Sequence, residues 1–191
     1  MGNIFELNNV LNYIWLIPII FSIHEIEEWN ILKWYQKYYR NLPESTNTSI
    51  RIHIVVLSLV SFLLTYVAYV LNETFLYSLI VAFLASFIFL NLVQHIIWTV
   101  QLRAYSLGLI TGILSFLVTI FVNIELVQNT HFNPLFYGII VFTVLPIRET
   151  MRVKGEMTPE VRKVHHFFIK IEKILRKLIK DNKQRNESEE I

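Results

Sequence analysis

The chain has no cysteine, so disulfides, thiolate nucleophiles and thiolate metal sites are all excluded. Only five glycines and five prolines occur in 191 residues, which excludes a linker-rich or disordered protein. Charge is scarce too: 17% of residues are charged, against about 25% in an ordinary soluble domain. No phosphate-cradling G-x-x-x-x-G-K, no G-x-G-x-x-G and no G-x-S-x-G is present, so nucleotide-driven and serine-hydrolase chemistry lack their parts. Neither a basic leader nor a small-residue cleavage site appears near the N-terminus, so no removable signal peptide is expected.

What is present is hydrocarbon. Hydrophobic residues make up 54% of the chain and aromatics 14%. One membrane-spanning helix needs about 20 predominantly apolar residues. Five runs suit: Val10 to Leu32, Ile52 to Leu71, Phe75 to Val100, Leu107 to Leu126, and a shorter one from Leu135 to Ile147. The expected fold is therefore all-α, a polytopic membrane bundle of about five transmembrane helices followed by a C-terminal amphipathic cytoplasmic helix. Residues 1–152 would form the transmembrane domain, 153–182 the basic interfacial helix, and 183–191 a disordered tail.

Basic residues set the orientation. Before Arg148 only Lys33, Lys37, Arg40, Arg51 and Arg103 occur, and all fall in the connections on one side of the expected spans. The remaining twelve lie from Arg148 onward. By the positive-inside rule the N-terminus is outside and the C-terminus cytoplasmic, in a multi-pass protein of the cell membrane.

That topology gives depth to the stretch FSIHEIEEWNILKWY, Phe21 to Tyr35, at the inner end of the first run. A second polar stretch, NLVQHIIWTVQLRAY from Asn91 to Tyr105, ends the third run at the same level, and Thr111 and Ser115 open the fourth there. The outer half is expected to be almost wholly apolar. Residues three or four apart share a helix face, so His24, Glu27 and Glu28 project together, and Glu25 sits about 100° round as an accessory group. Asn91 and His95 are likewise four apart. Ionised groups at membrane depth cost about 2.5–3.5 kcal/mol each on insertion scales. Three neighbouring carboxylates therefore call for a proton, a cation or a metal.

HEIEE matches the signature of the HXXEE-domain membrane proteins, and Asn91–His95 with RAYSLGLIT (Arg103 to Thr111) resembles that family's second block. The resemblance extends to about Arg152. In that block a proline precedes the glycine; here Leu107 precedes Gly108. The resemblance implies an integral membrane protein with His24, Glu27, Glu28, Asn91 and His95 as its polar signature, and implies no substrate.

The nearest mechanistic pattern is the inverted zincin motif, H-x-x-E-H, with Glu28 in the place of its second histidine. His24, Glu28 and His95 would then be metal ligands and Glu27 the general base, with Asn91, Glu25, Arg103, Tyr105 and Thr111 as accessory polar groups. Two imidazoles and one carboxylate suit catalytic zinc and equally non-haem iron. The alternatives are an interfacial helix end whose carboxylates meet Lys33, Lys37 and Arg40, and interhelical hydrogen bonding by Asn91 and His95. Three functions follow from these readings: a metal-dependent hydrolase acting on a lipid-like or membrane-proximal substrate, a proton- or cation-coupled carrier, and a non-catalytic scaffold.

The tail beginning TPEVRKVHHFFIKIEK places Thr158 as N-cap and Pro159 at the first helical position. Val161, Val164, Phe168, Ile171, Leu175 and Leu178 form an apolar stripe, widened by Phe167, Ile174 and Ile179. Seven Lys/Arg against three acids between Thr158 and Asp181 point to anionic lipids of the bilayer as the partner, not to nucleic acid. A self-associating helix, and with it a homo-oligomer, is the alternative. His53, His165 and His166 are expected at the interface.

Overall fold

The computed structural model describes residues 11–72, 74–129, 144–152 and 154–189, and every regular element among them is helical. A 3₁₀ turn, Tyr13–Trp15, leads into α1, Leu16–Glu27. The helix tightens again into a 3₁₀ turn at Glu28–Asn30 before α2, Leu32–Tyr38. The expected first span is thus a segmented helix. Its twelve-residue α1 is roughly 18 Å long at 1.5 Å per residue, short of the ~30 Å hydrocarbon core. The break falls at Glu28, whose φ of −82° and ψ of 2° leave helical geometry for the bridge region that active-site residues often occupy.

Three long helices follow: α3, Asn47–Val70, α4, Phe75–Leu102, and α5, Leu109–Asn129. All three are long and apolar enough to cross a membrane, and they match the second, third and fourth expected spans. Each start has a local cause. Thr46 and Ser49 form a reciprocal capping box at α3, and the Thr74 hydroxyl accepts the Tyr77 N–H at α4. Their outward faces carry more than half-exposed Leu59, Leu63, Tyr66, Val70, Ile110 and Leu117, a surface that suits lipid and not water. Most of the expected fifth span, Leu135 to Ile147, lies outside the described residues; its end enters α6, Val144–Arg152.

The last helix, α7, runs Pro159–Glu189. It continues past residue 182, where a disordered tail was expected, because Lys, Gln, Arg and Glu are good helix formers and neither glycine nor proline interrupts them. Asn41 fixes the entry to α7 with two bonds to the Met157 backbone, of 3.1 and 2.7 Å, beside an Arg40 N–H to Gly155 carbonyl bond of 3.0 Å.

Two buried clusters flank the middle of the bundle. One is aliphatic, gathering Ile14, Ile17, Phe21, Val81, Leu84 and Val122. The other is aromatic, built from Trp34, Tyr35, Tyr39 and Trp98 with Ile50, Ile54 and Met157. Lipid tails are as apolar as leucine, so packing and polar contacts, more than the hydrophobic effect, must select this arrangement where lipid surrounds it. The polar contacts lie between the two clusters.

Candidate metal centre

Three buried or half-buried side chains meet where α1, α4 and the start of α5 converge. His24 and Glu28 come from one face of the α1 segment, four residues apart, and His95 from the inner face of α4. His24 Nε2 lies 3.5 Å and His95 Nε2 2.7 Å from the same oxygen, Glu28 Oε1. One ligand atom from each of the three residues lies within 4.8 Å of the others. Ligands about 2.0–2.1 Å from a tetrahedral zinc stand roughly 3.3 Å apart, and the separations here, from 2.7 Å to no more than 4.8 Å, bracket that value. Yet Glu28 Oε1 and His24 Nε2 are buried without a hydrogen bond in proper geometry, and a native interior rarely leaves such atoms unsatisfied. The rings pack edge to face, with centroids 5.2 Å apart. Phe21 closes the aliphatic side against His24 at 6.2 Å, and Trp98 the aromatic side against His95 at 5.3 Å.

The opposite ring nitrogens explain why both Nε2 atoms face inward. His95 Nδ1 bonds Ser106 Oγ at 2.9 Å and His24 Nδ1 bonds Thr111 Oγ1 at 3.0 Å. The Thr111 hydroxyl donates to Glu27 Oε2 at 2.5 Å. Its oxygen is then the acceptor for His24 Nδ1–H, which leaves the His24 Nε2 lone pair free toward Glu28. A histidine held this way through its second nitrogen is the usual outer-shell arrangement of a metal ligand.

Glu27, read from the sequence as the general base, is engaged by Thr111 and Tyr105. Its Oε2 also accepts the Thr111 N–H at 3.2 Å, and its Oε1 accepts the Tyr105 hydroxyl. The carboxylate caps the amino end of α5, where the helix dipole favours negative charge. Of the accessory groups, Thr111 bonds the His24 ring directly, and Tyr105 is joined to it through Glu27 and Thr111. Asn91 reaches the His24 ring, and its Oδ1 is buried without a partner. Glu25 is buried near Glu28 but outside the triplet. Arg103 is exposed at the carboxyl end of α4 with φ 51°, and its side chain joins none of these contacts.

Sequence reasoning passed over three contributors. Ser106, fully buried, holds His95. Gly108 and Gly112 face the ligands through missing side chains: a Cβ on Gly108 would stand 2.6 Å from Glu28 Oε1 and 2.8 Å from Cε1 of each histidine. Gly108 has φ +94° in a turn closed by Leu109 N–H to the Ser106 carbonyl, 3.1 Å. A positive φ at the third position of a turn is the type II pattern, in which proline is common at the second. Leu107 occupies that second position, and the turn forms without the proline. A glycine after a polar loop at the mouth of an apolar run was the available signal.

Two other expectations need correction. The half of the bundle away from the centre is not wholly apolar: beyond Ser115, both Thr119 and Asn123 are buried at four-residue steps along α5. His165 is not a simple interfacial residue; it is buried and bonds Ser45 Oγ at 3.0 Å.

No curated protein and no solved structure matches the chain. A family model described as "Protein of unknown function with HXXEE motif" matches residues 15–123, more than half of the chain. The match stops before Arg152, where the resemblance was expected to end, but it includes every residue of the cluster. The chain belongs to that HXXEE family of unknown function.

Proposed function

We propose that this protein is a membrane metal-dependent hydrolase, with a zinc or ferrous ion held by His24 Nε2, His95 Nε2 and a Glu28 oxygen. The observation that carries the reading is the pair of imidazoles, each fixed through Nδ1 by a hydroxyl and each facing one buried carboxylate oxygen. Asn91, near the same ring, has a buried Oδ1 without a hydrogen bond and could add an oxygen ligand. An ion so held, with a position open to water, would lower that water's pKa to about 7 and supply hydroxide for hydrolysis. Glu27 then serves as a positioning residue, setting the His24 tautomer through Thr111. The substrate in this reading is lipid-like or membrane-proximal and is reached from the cytoplasmic side. Lys33, Lys37, Arg51 and Arg103 border the end of the bundle that carries the centre, as the positive-inside rule requires of that side.

A proton- or cation-coupled carrier is the second reading. The buried stripe Ser115, Thr119 and Asn123 favours it, with Asn123 Oδ1 and the Tyr77 hydroxyl lacking hydrogen bonds. Elemental analysis of the detergent-solubilised protein separates the two. The hydrolase reading expects near-stoichiometric zinc or iron, lost in monodisperse His24→Ala and His95→Ala, with metal-dependent cleavage of a lipid ester or phosphoester panel. Well-folded protein that takes up neither ion after reloading would refute it.

A further inference from the structure

Helix α7 carries three faces, and its docking decides which way each one points. At about 100° per residue, His165, Phe168, Ile169 and Glu172 share one arc, and all four are buried. They sit against the amino end of α3. His165 bonds Ser45, the Thr46 hydroxyl donates to Glu172 Oε2 at 2.5 Å, and Phe168 stacks on His53 with ring centroids 4.5 Å apart. These contacts fix the rotation of the helix about its axis. A second arc, Val164, Phe167, Ile174, Leu175 and Leu178, is thereby held outward at 40–60% exposure. Lys163, Lys170, Lys173, Lys177 and Lys180 occupy the third arc, all exposed.

An apolar row that cannot rotate inward requires a partner. We propose that this row and its flanking lysines form a docking surface for an anionic lipid leaflet, with the row entering the acyl boundary and the lysines holding headgroups. Charge selects the partner. A second copy of α7 packed on the same row would bring like-charged lysine flanks together, whereas acidic headgroups neutralise them. Position agrees: α7 is anchored at the capped end of a helix long and apolar enough to cross a membrane, where a bilayer surface must lie. The inference stands apart from the metal reading, because none of its residues is a ligand.

The absence of native cysteine makes the test direct. Full-length Leu178→Cys and Lys177→Cys each carry a polarity-sensitive fluorophore and are reconstituted in nanodiscs of phosphatidylcholine alone or mixed with phosphatidylserine. The expected result is a blue shift and several-fold protection from acrylamide at position 178 only with phosphatidylserine, weakened by salt, while position 177 stays accessible. Equal exposure of position 178 in both lipids overturns the proposal, as does equal protection in both. Protection that follows protein density and not lipid charge also overturns it, in favour of self-association. Circular dichroism and monodispersity of each variant establish that the labelled helix is folded.

Discussion

Gly108→Ala is the sharpest single perturbation of the candidate centre. The added Cβ would lie 2.6 Å from Glu28 Oε1 and 2.8 Å from both histidine Cε1 atoms, where ordinary contact begins at 3.4 Å. The ligands must therefore retreat by about 0.6–0.8 Å, several times the roughly 0.2 Å tolerance of metal–ligand distances. A non-glycine residue at φ +94° adds backbone strain of about 1–3 kcal/mol. Gly155→Ala isolates that second effect: φ there is +72°, but the new Cβ meets only the Tyr38 carbonyl at 3.3 Å, away from the centre. The assay is metal content together with thermal unfolding, with and without added zinc. An ion at about 100 times its Kd stabilises the folded state by roughly 2.7 kcal/mol, which is several degrees in Tm for a chain of this length. Both variants should start from a lowered Tm. Gly155→Ala should keep the zinc-dependent rise and its metal, and Gly108→Ala should lose both. A Gly108→Ala protein that holds stoichiometric zinc with the wild-type rise would refute the shared-ion geometry.

Two further outcomes follow from single contacts. Thr111→Val removes the hydroxyl between His24 Nδ1 and Glu27 and should weaken metal binding by about 10–100-fold, with Thr111→Ser restoring it; competition titration against a chelating dye reads this, and unchanged affinity in the valine variant would deny the tautomer role. Docking of α7 should weaken in acid. Burial first, then the neighbouring His53 and His166, hold His165 down at about 4 from 6.5, with Ser45 and the Tyr35 ring as its other neighbours. The undocked helix thus binds more protons between those values, so docking is strongest above pH 6.5 and loses about 3 kcal/mol as pH falls to about 4. Hydrogen exchange along α7 should show that loss of protection, and His165→Asn should flatten the profile; equal protection across the range in the wild type would contradict it.

The long helices were legible in the sequence because runs of 20 or more apolar residues admit few other readings. The meeting of His24, Glu28 and His95 was legible for a similar reason: charged groups at membrane depth need partners, and few were available. What periodicity could not assign was the division of labour between adjacent carboxylates. Glu27 and Glu28 both lie on the face of His24, yet the helix tightens at Glu28 and turns one carboxylate toward His95 and the other toward the amino end of α5. That choice depends on Tyr105, Ser106, Gly108 and Thr111, which are remote in sequence from the motif and unremarkable in composition. Thr119 and Asn123 escaped for the opposite reason, since each satisfies a polar group on the carbonyl four residues back and so hides inside an apolar run. The motif thus supplies two of the three candidate ligands, His24 and Glu28, and the third, His95, comes from α4. The turn from Arg103 to Thr111 completes the set by holding both histidines through their far nitrogens, so substitutions in that turn should disturb the centre as strongly as those in the motif itself.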